Sequence, residues 1–434
     1  MIGLQEMVLQ TDGNDIRVLP AWPEEWQVDF KLYAPHNTVV SANYYKNINK
    51  MDIFPGHRKE DVIKEGSKIN KTTMKTNTVK KSSHLRNKNL LFGGILFLLV
   101  TQACYTQNYV FGADLSFAKQ AKENGFEFKE DGAEKPFLEI FKEHGYNWIR
   151  LRLFHNPNIG QYNLPNDLDY TIQLAKEAKK QGFKFLLDYH YSDTWADLAK
   201  QYTPKAWEGK TGEELVKEVF EYTKTTMLAF RDAGVFPDMV QVGNEISNGM
   251  LWPFGKLPEN WDGFAALLQS GINGVYASCG NNPCPEIMIH IDKGGDKDFT
   301  KYFFDKIETY GIKFDVIGQS YYPWWHGSLL DFRECLNFTA NTYQKDIVVV
   351  EVAYNYARQE YKDKKAPFPE TPQGQKEFLE AVNKIILNVS DGRGKGLFWW
   401  EPAAPNKGFS TRTFFSPEGD VMPAITVFDK YVRY

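Results

Sequence analysis

Two glutamates stand where carboxylates are seldom left alone. Glu245 closes the run DMVQVGNE, directly after Asn244, and Glu351 sits among valines in IVVVEVAY. A charge inside an apolar run needs a partner or a task, because burying it unpaired is strongly unfavourable. Two carboxyl groups about 5 Å apart can break a glycosidic bond with retention, one protonating the leaving oxygen while the other attacks the anomeric carbon. The alternative for each is a structural ion pair. Arg150 and Arg152 share one parity of the run NWIRLRLF, so both can face one interior, or serve structure alone. A guanidinium beside Glu351 would keep that carboxylate ionised, and the charge on Glu351 would raise the pKa of Glu245 and hold its proton.

For these groups to meet, the chain must bring distant segments to one mouth. Strand-like apolar runs alternate with amphipathic stretches at 110–117, 147–154, 183–191, 238–245, 287–292, 314–323, 346–354 and 396–402. Between them lie helical patterns such as TIQLAKEAKKQG and GQKEFLEAVNKIILNV, and Gly145, Gly182 and Gly234 suit helix C-terminal caps. Eight such units predict an α/β fold, a (β/α)8 TIM barrel. A doubly wound sheet is the alternative, but no GxGxxG follows Phe117. Seven of the eight runs turn polar or aromatic at their C-terminal ends, and in a barrel all those ends open on one face. Glu245 on strand 4 and Glu351 on strand 7 would then face each other across it.

Composition narrows the function class. Hydrophobic residues at 42% and charged residues at 24% exclude disorder throughout, collagen and polytopic membrane proteins. The balance of 51 Lys plus Arg against 55 Asp plus Glu leaves no nucleic-acid footprint. Four cysteines make neither a disulfide scaffold nor a zinc ribbon, and no Cys/His set has metal-ligand spacing. Strand 1 reads GADLSF, without the HxH of metal-dependent barrel hydrolases. No metal and no cofactor are therefore expected. Cys279 and Cys284, five apart, could bridge in an oxidising compartment, and Cys335 reads as a small buried hydrophobe. Aromatics at 15% favour a carbohydrate partner, whose apolar faces stack on rings.

The motifs GADLSF (112–117), IRLRLFHNP (149–157), LDYHYSDTWAD (187–197), NEISNGMLWPFG around Glu245, IGQSYYPWWHG (317–327) and IVVVEVAY together resemble glycoside hydrolase family 53. The resemblance runs from about Asn108 to Tyr434. It implies a retaining endo-β-1,4-galactanase acting on galactan or type I arabinogalactan, with Glu245 as acid/base and Glu351 as nucleophile. By the same match Asn244 binds the substrate 2-hydroxyl, Trp400 floors the reacting subsite, and Tyr322 and Arg150 hydrogen-bond the nucleophile. Asp188, His190, Trp195, His290 and Trp324 line the cleft. Some bacterial members bind calcium through an extended loop after strand 8. Here 402–423 is short and lacks a dense Asp/Asn cluster, so no calcium is expected. A mannanase or endoglucanase of the same clan, or a non-catalytic sugar-binding surface protein, are the competing readings. A monomer is expected.

The first hundred residues read differently. Leu90–Val100 is LLFGGILFLLV, preceded by Lys75, Lys80, Lys81, Arg86 and Lys88 and followed by Thr-Gln-Ala-Cys. Eleven uncharged residues fall short of the roughly 20 that span a bilayer, but the pattern describes an export signal beginning at Met74. Residues 74–104 are thus read as the signal and 105–434 as the hydrolase domain. Cys104 either carries a lipid tether to a membrane or marks simple cleavage and secretion, so the protein is expected outside the cytoplasm, in the periplasm or on the cell surface. Residues 1–73 contain short strands (GNDIRVLPAWPEEW, VDFKLYAPHNTVV) and resemble the C-terminal β-tail of bacterial helical-toroid glycosidases. They are expected to be an extraneous β-rich extension, from a misplaced start or a gene fusion.

Overall fold

The computed structural model describes residues 9–12, 15–18, 28–34, 38–45, 47–54 and 62–63, and then 109–431 apart from 158–159, 161–162, 359–365 and 406–409. The expected signal at 74–104, with Cys104, lies outside the described residues. The chain divides into two compact units, Met1–Phe92 and Gly93–Tyr434. In the first, Leu9–Asp12, Asp15–Val18 and Val62–Ile63 form one three-stranded sheet, and Val28–Ala34, Thr38–Tyr45 and Asn47–Phe54 form an antiparallel one. Val40 with Ala42, and Met51 with Ile53, are buried two residues apart, the period of a half-buried sheet.

The second unit is built on eight parallel strands closed into a barrel. They are β1 (Val110–Asp114), β2 (Trp148–Leu153), β3 (Lys184–Tyr189), β4 (Met239–Val242), β5 (Glu286–Ile291), β6 (Val316–Tyr321), β7 (Asp346–Val352) and β8 (Gly394–Trp399). Each pairs with the next, and β8 closes on β1. All eight predicted runs become strands. All eight stop short of the predicted C-terminal limit, because the last residues leave the ladder to build the mouth.

Alternation along each strand sorts side chains into layers inside the barrel. Val110, Trp148, Leu186, Met239, Met288, Val316, Val348, Val350 and Phe398 form one buried apolar plug. The next inward residues on β2 to β5 are Arg150, Asp188, Gln241 and His290, all fully buried. Gly112 makes room for the plug: a Cβ there would lie 2.3 Å from the Phe398 ring. The outer faces of the strands pack against helices whose starts are fixed by side-chain caps, including Asp167 for Leu168–Lys180 and a Ser328–Asp331 capping box for Leu329–Tyr343. Gly145, Gly182 and Gly234 take positive φ just past helix ends, as predicted. Cys279 and Cys284 are disulfide-bonded, and Cys335 is buried.

Candidate active site

The two glutamates reach the mouth by different backbone devices. Past the end of β4 the chain turns at Gly243 (φ 87°) and again at Glu245 itself, which adopts the left-handed conformation (φ 45°, ψ 51°). A Cβ at Gly243 would sit 2.7 Å from Ile246 Cγ2. The left-handed state costs a non-glycine residue roughly 1–2 kcal/mol, an outlay typical of sites that must aim one side chain. On β7 the device is a bulge. Gly318 pairs with Val348, but Ser320 pairs with Glu351, so three steps on β7 oppose two on β6. Val348 and Val350 both point into the plug. Strict alternation would therefore send Glu351 outward with Val349; the extra residue turns it inward.

Inside, Glu351 meets a single buried cation. Arg150 Nη1 lies 2.9 Å from Glu351 Oε1 and 2.8 Å from Asp114 Oδ2, and its Nη2 lies 2.8 Å from Asp188 Oδ2. The same guanidinium donates to Asn244 Oδ1 (2.9 Å) and to Gln241 Oε1. The Tyr322 hydroxyl donates to Glu351 Oε2 at 2.9 Å. Both contacts to Glu351 foreseen for Arg150 and Tyr322 are thus present. Arg152 continues the chain of charge from Asp114 (2.9 Å) to Glu401 and lies over the rings of Phe117 and Trp195.

Glu245 has a different neighbourhood. Its Oε1 accepts from Ser320 Oγ at 2.7 Å, and its backbone N–H points at His290 Nδ1. One carboxylate oxygen of Glu245, one of Glu351 and a nitrogen of His290 lie within 4.8 Å of one another. These three could be taken for metal ligands. The donor set does not favour this: both oxygens of Glu351 are engaged by Arg150 and Tyr322, both nitrogens of His290 are within hydrogen-bond distance of neighbours, and the fixed Arg150 cation already sits beside Glu351.

Electrostatics separates the two carboxyl groups. Burial raises the pKa of both. For Glu351, whose pKa is still raised, burial and the charges of Asp188 and Asp114 are opposed by the Arg150 charge and the Tyr322 hydrogen bond. For Glu245 the charges of Glu351, Asp292 and Asp197 add to burial and outweigh the Ser320 hydrogen bond, so its pKa stands well above the carboxylate range. The pair's shared proton therefore belongs on Glu245. Burial also pushes Glu401 up to about 8, against the pull of Arg152. Arg150 holds Asp188 below the ordinary carboxylate range.

Around this pair, Trp400 lies 6.1 Å from Trp195 and 6.3 Å from Tyr322 between ring centroids. Asn244 Nδ2 donates to Ala196 O, and His190 binds Asp188 through Nε2 and accepts the Ala196 N–H at Nδ1. Two expectations need correction. Asp188 and His290 are wholly buried and do not line the cleft; their polar atoms are taken by Arg150, Gln241, Ser320 and Asn244, so they act beneath it. Trp324 stacks on Tyr354 and is as little exposed as Glu351 itself, whereas its neighbour Trp325 is 48% exposed. The residue pair WW names an aromatic rim but not which ring faces out. Sequence reasoning passed over Asp114, Gln241 and Ser320, and also Arg412, whose guanidinium lies 5.2 Å from the Trp400 ring and 5.6 Å from Tyr322. Inward parity could have found Asp114, Gln241 and Ser320; Arg412 ends the short 3-10 turn Ser410–Arg412, with no pattern to betray it.

Comparison with known proteins decides the lineage. The sequence profile of glycosyl hydrolase family 53 matches residues 110–432. The chain belongs to that family. Among curated relatives, this family 53 chain is 36% identical over 335 residues to an arabinogalactan endo-beta-1,4-galactanase of Humicola insolens, covering 74% of this chain and 98% of the relative. Among solved structures it is similar to the family 53 catalytic domain of Ignisphaera aggregans (TM-score 0.68, 32% identity, 74% of this chain and 95% of the other). It is also similar to a fungal beta-1,4-galactanase (TM-score 0.67, 34% identity, 73% and 98%). The family 53 match spans all eight barrel strands and both glutamates.

Proposed function

We propose that this family 53 barrel is a retaining endo-β-1,4-galactanase that cuts internal bonds of galactan and type I arabinogalactan. One observation supports this most: two buried carboxyl groups, from the end of β4 and from β7, with oxygens within 4.8 Å, one beside Arg150 and the other with no cation paired to it among the described residues. That spacing suits direct attack by a carboxylate and leaves no room for an intervening water of an inverting enzyme. In the first step Glu351 attacks the anomeric carbon as the C–O bond to the leaving sugar breaks, and Glu245 gives its proton to the departing oxygen. In the second, Glu245 takes a proton from water, whose oxygen displaces Glu351. As the charge of Glu351 passes into the ester, the pKa of Glu245 falls, so acid becomes base without moving. Asn244, fixed by Arg150 and Ala196, is placed for the 2-hydroxyl, and Trp400 for the apolar sugar face. The substrate follows the names of the relatives. Product analysis on linear galactan, mannan and cellulose tests it: galacto-oligosaccharides from galactan alone are expected, and preferential release from mannan or cellulose overturns the substrate.

We also infer that residues 74–104 direct export and that Cys104 is lipid-tethered, with the extension 1–73 absent from the mature monomeric enzyme. The basic, apolar and small-residue order of the segment supports this reading. N-terminal sequencing and intact mass of the native protein test it; peptides from residues 1–60 in the exported enzyme contradict it.

A further inference from the structure

A ring of hydrogen bonds begins and ends on Glu245. Its backbone N–H points at His290 Nδ1 at 3.4 Å, His290 Nε2 lies 2.8 Å from Ser320 Oγ, and Ser320 Oγ lies 2.7 Å from Glu245 Oε1. His290 and Ser320 are fully buried, on β5 and β6, so no water competes for these atoms. A neutral imidazole carries one N–H, and a hydroxyl donates once, so the ring has only two directions. In the forward direction Glu245 N–H donates to Nδ1, Nε2–H donates to Ser320, and Ser320 donates to Oε1. Oε1 is then an acceptor, and the proton of the neutral acid must sit on Oε2. In the reverse direction Oε1–H donates to Ser320, Ser320 donates to Nε2, and Nδ1–H turns to Asn244 Oδ1, 3.1 Å away. The proton is then turned inward, where it cannot reach a leaving oxygen.

The surroundings favour the forward direction. Asn244 Oδ1 already accepts from Arg150 (2.9 Å) and lies 3.0 Å from Gln241 Nε2, which also faces Asp188 and Gly243 O, so it does not depend on a donor from His290, whose unprotonated Nδ1 it then faces at 3.1 Å. Reversal would also leave the buried N–H of Glu245 facing another N–H, and orphaned buried amides are rare because they are costly. Burial and the neighbouring Arg150 hold His290 neutral, which the ring requires.

We infer that Ser320 and His290 are positioning residues that keep the acid proton of Glu245 on Oε2. This rests on Glu245 being the general acid. The groups that set its charge from other elements are Glu351 and Asp292, with Asp197 from the loop after β3, and Tyr322 feels its charge in turn. Ser320 alone donates to the carboxyl among the described residues, and its loss removes a bond that stabilises the carboxylate form.

The test compares kcat/KM against pH for the wild type, Ser320→Ala and Ser320→Thr on two substrates. Linear galactan needs protonation of the leaving oxygen, and a 2,4-dinitrophenyl β-galactobioside does not. Ser320→Ala should lose about ten-fold more on galactan than on the dinitrophenyl substrate, and the alkaline limb on galactan should rise by about one pH unit. Ser320→Thr, keeping the hydroxyl, should restore both. Equal losses on the two substrates with an unmoved alkaline limb would overturn the inference. If Ser320→Ala does not fold, a long-range 1H–15N spectrum of histidine-labelled wild-type enzyme decides: His290 protonated at Nε2 supports the forward ring, and at Nδ1 defeats it. Glu245→Gln on the same two substrates is read separately. If it loses no more on galactan than on the dinitrophenyl substrate, Glu245 is not the acid at all.

Discussion

Replacing Tyr322 by Phe removes one atom from the environment of Glu351, the proposed nucleophile, and leaves the ring in place. The lost group is the hydroxyl that donates to Glu351 Oε2 at 2.9 Å in a fully buried setting. A hydrogen bond to a charged group contributes about 1.5–3 kcal/mol. One pKa unit corresponds to about 1.4 kcal/mol, so losing the bond should raise the apparent pKa of Glu351 by about one to two units. Glu351 must be ionised to attack, so the acid limb of kcat/KM on galactan should move up in pH by that amount. Two pH units below the wild-type optimum, activity should fall roughly 10- to 100-fold, and by much less at the optimum. Stopped reducing-sugar assays across the pH range would measure this. An acid limb that stays in place, or moves down, would refute the claim that Tyr322 holds Glu351 in its charged form.

Glu401→Gln tests the second buried carboxyl. Its pKa is raised from 4.5 to about 8, so the folded state holds a proton that the unfolded chain releases. That contribution is complete below about pH 4.5 and is lost as pH rises through about 8. The melting temperature of the wild type should therefore fall more steeply than that of Glu401→Gln between these values, and parallel curves would refute it. Gly112→Ala should lower the melting temperature by several degrees, because its Cβ meets Phe398 at 2.3 Å and overpacking costs about 1–3 kcal/mol. Adding Phe398→Leu should recover part of the loss, and no recovery would mean the clash lies elsewhere. Glu245→Gln should cut turnover of galactan by several orders of magnitude while binding, measured by calorimetry, stays within a few-fold.

The strands were legible because parallel barrel strands are covered on both faces, so each reads as a compact apolar run with a polar end. NWIRLRLF shows the logic at its clearest: Arg150 and Arg152 interrupt the run at the parity that faces the barrel. The same logic misplaces Glu351, since its parity is that of Val349, and only the bulge between Gly318 and Ser320 on the paired strand corrects it. A bulge of this kind leaves no mark in a run of valines. Asp188 and His290 carried the right chemical types, but their depth depends on which neighbours claim their atoms, and a sequence does not state that. Ser320 is one small residue in QSYYP, and its role appears only once β4, β5 and β6 stand side by side.

The central claim is that Glu351 becomes bonded to the sugar while Glu245 manages the proton. Incubation with a 2-deoxy-2-fluoro β-galactobioside bearing a dinitrophenyl leaving group, followed by peptide mass spectrometry, tests it directly. The account predicts a fluorogalactobiosyl ester on the peptide containing Glu351 and on no other carboxylate. A label on Glu245 or Glu401, or an enzyme that turns over without any covalent adduct, would contradict it.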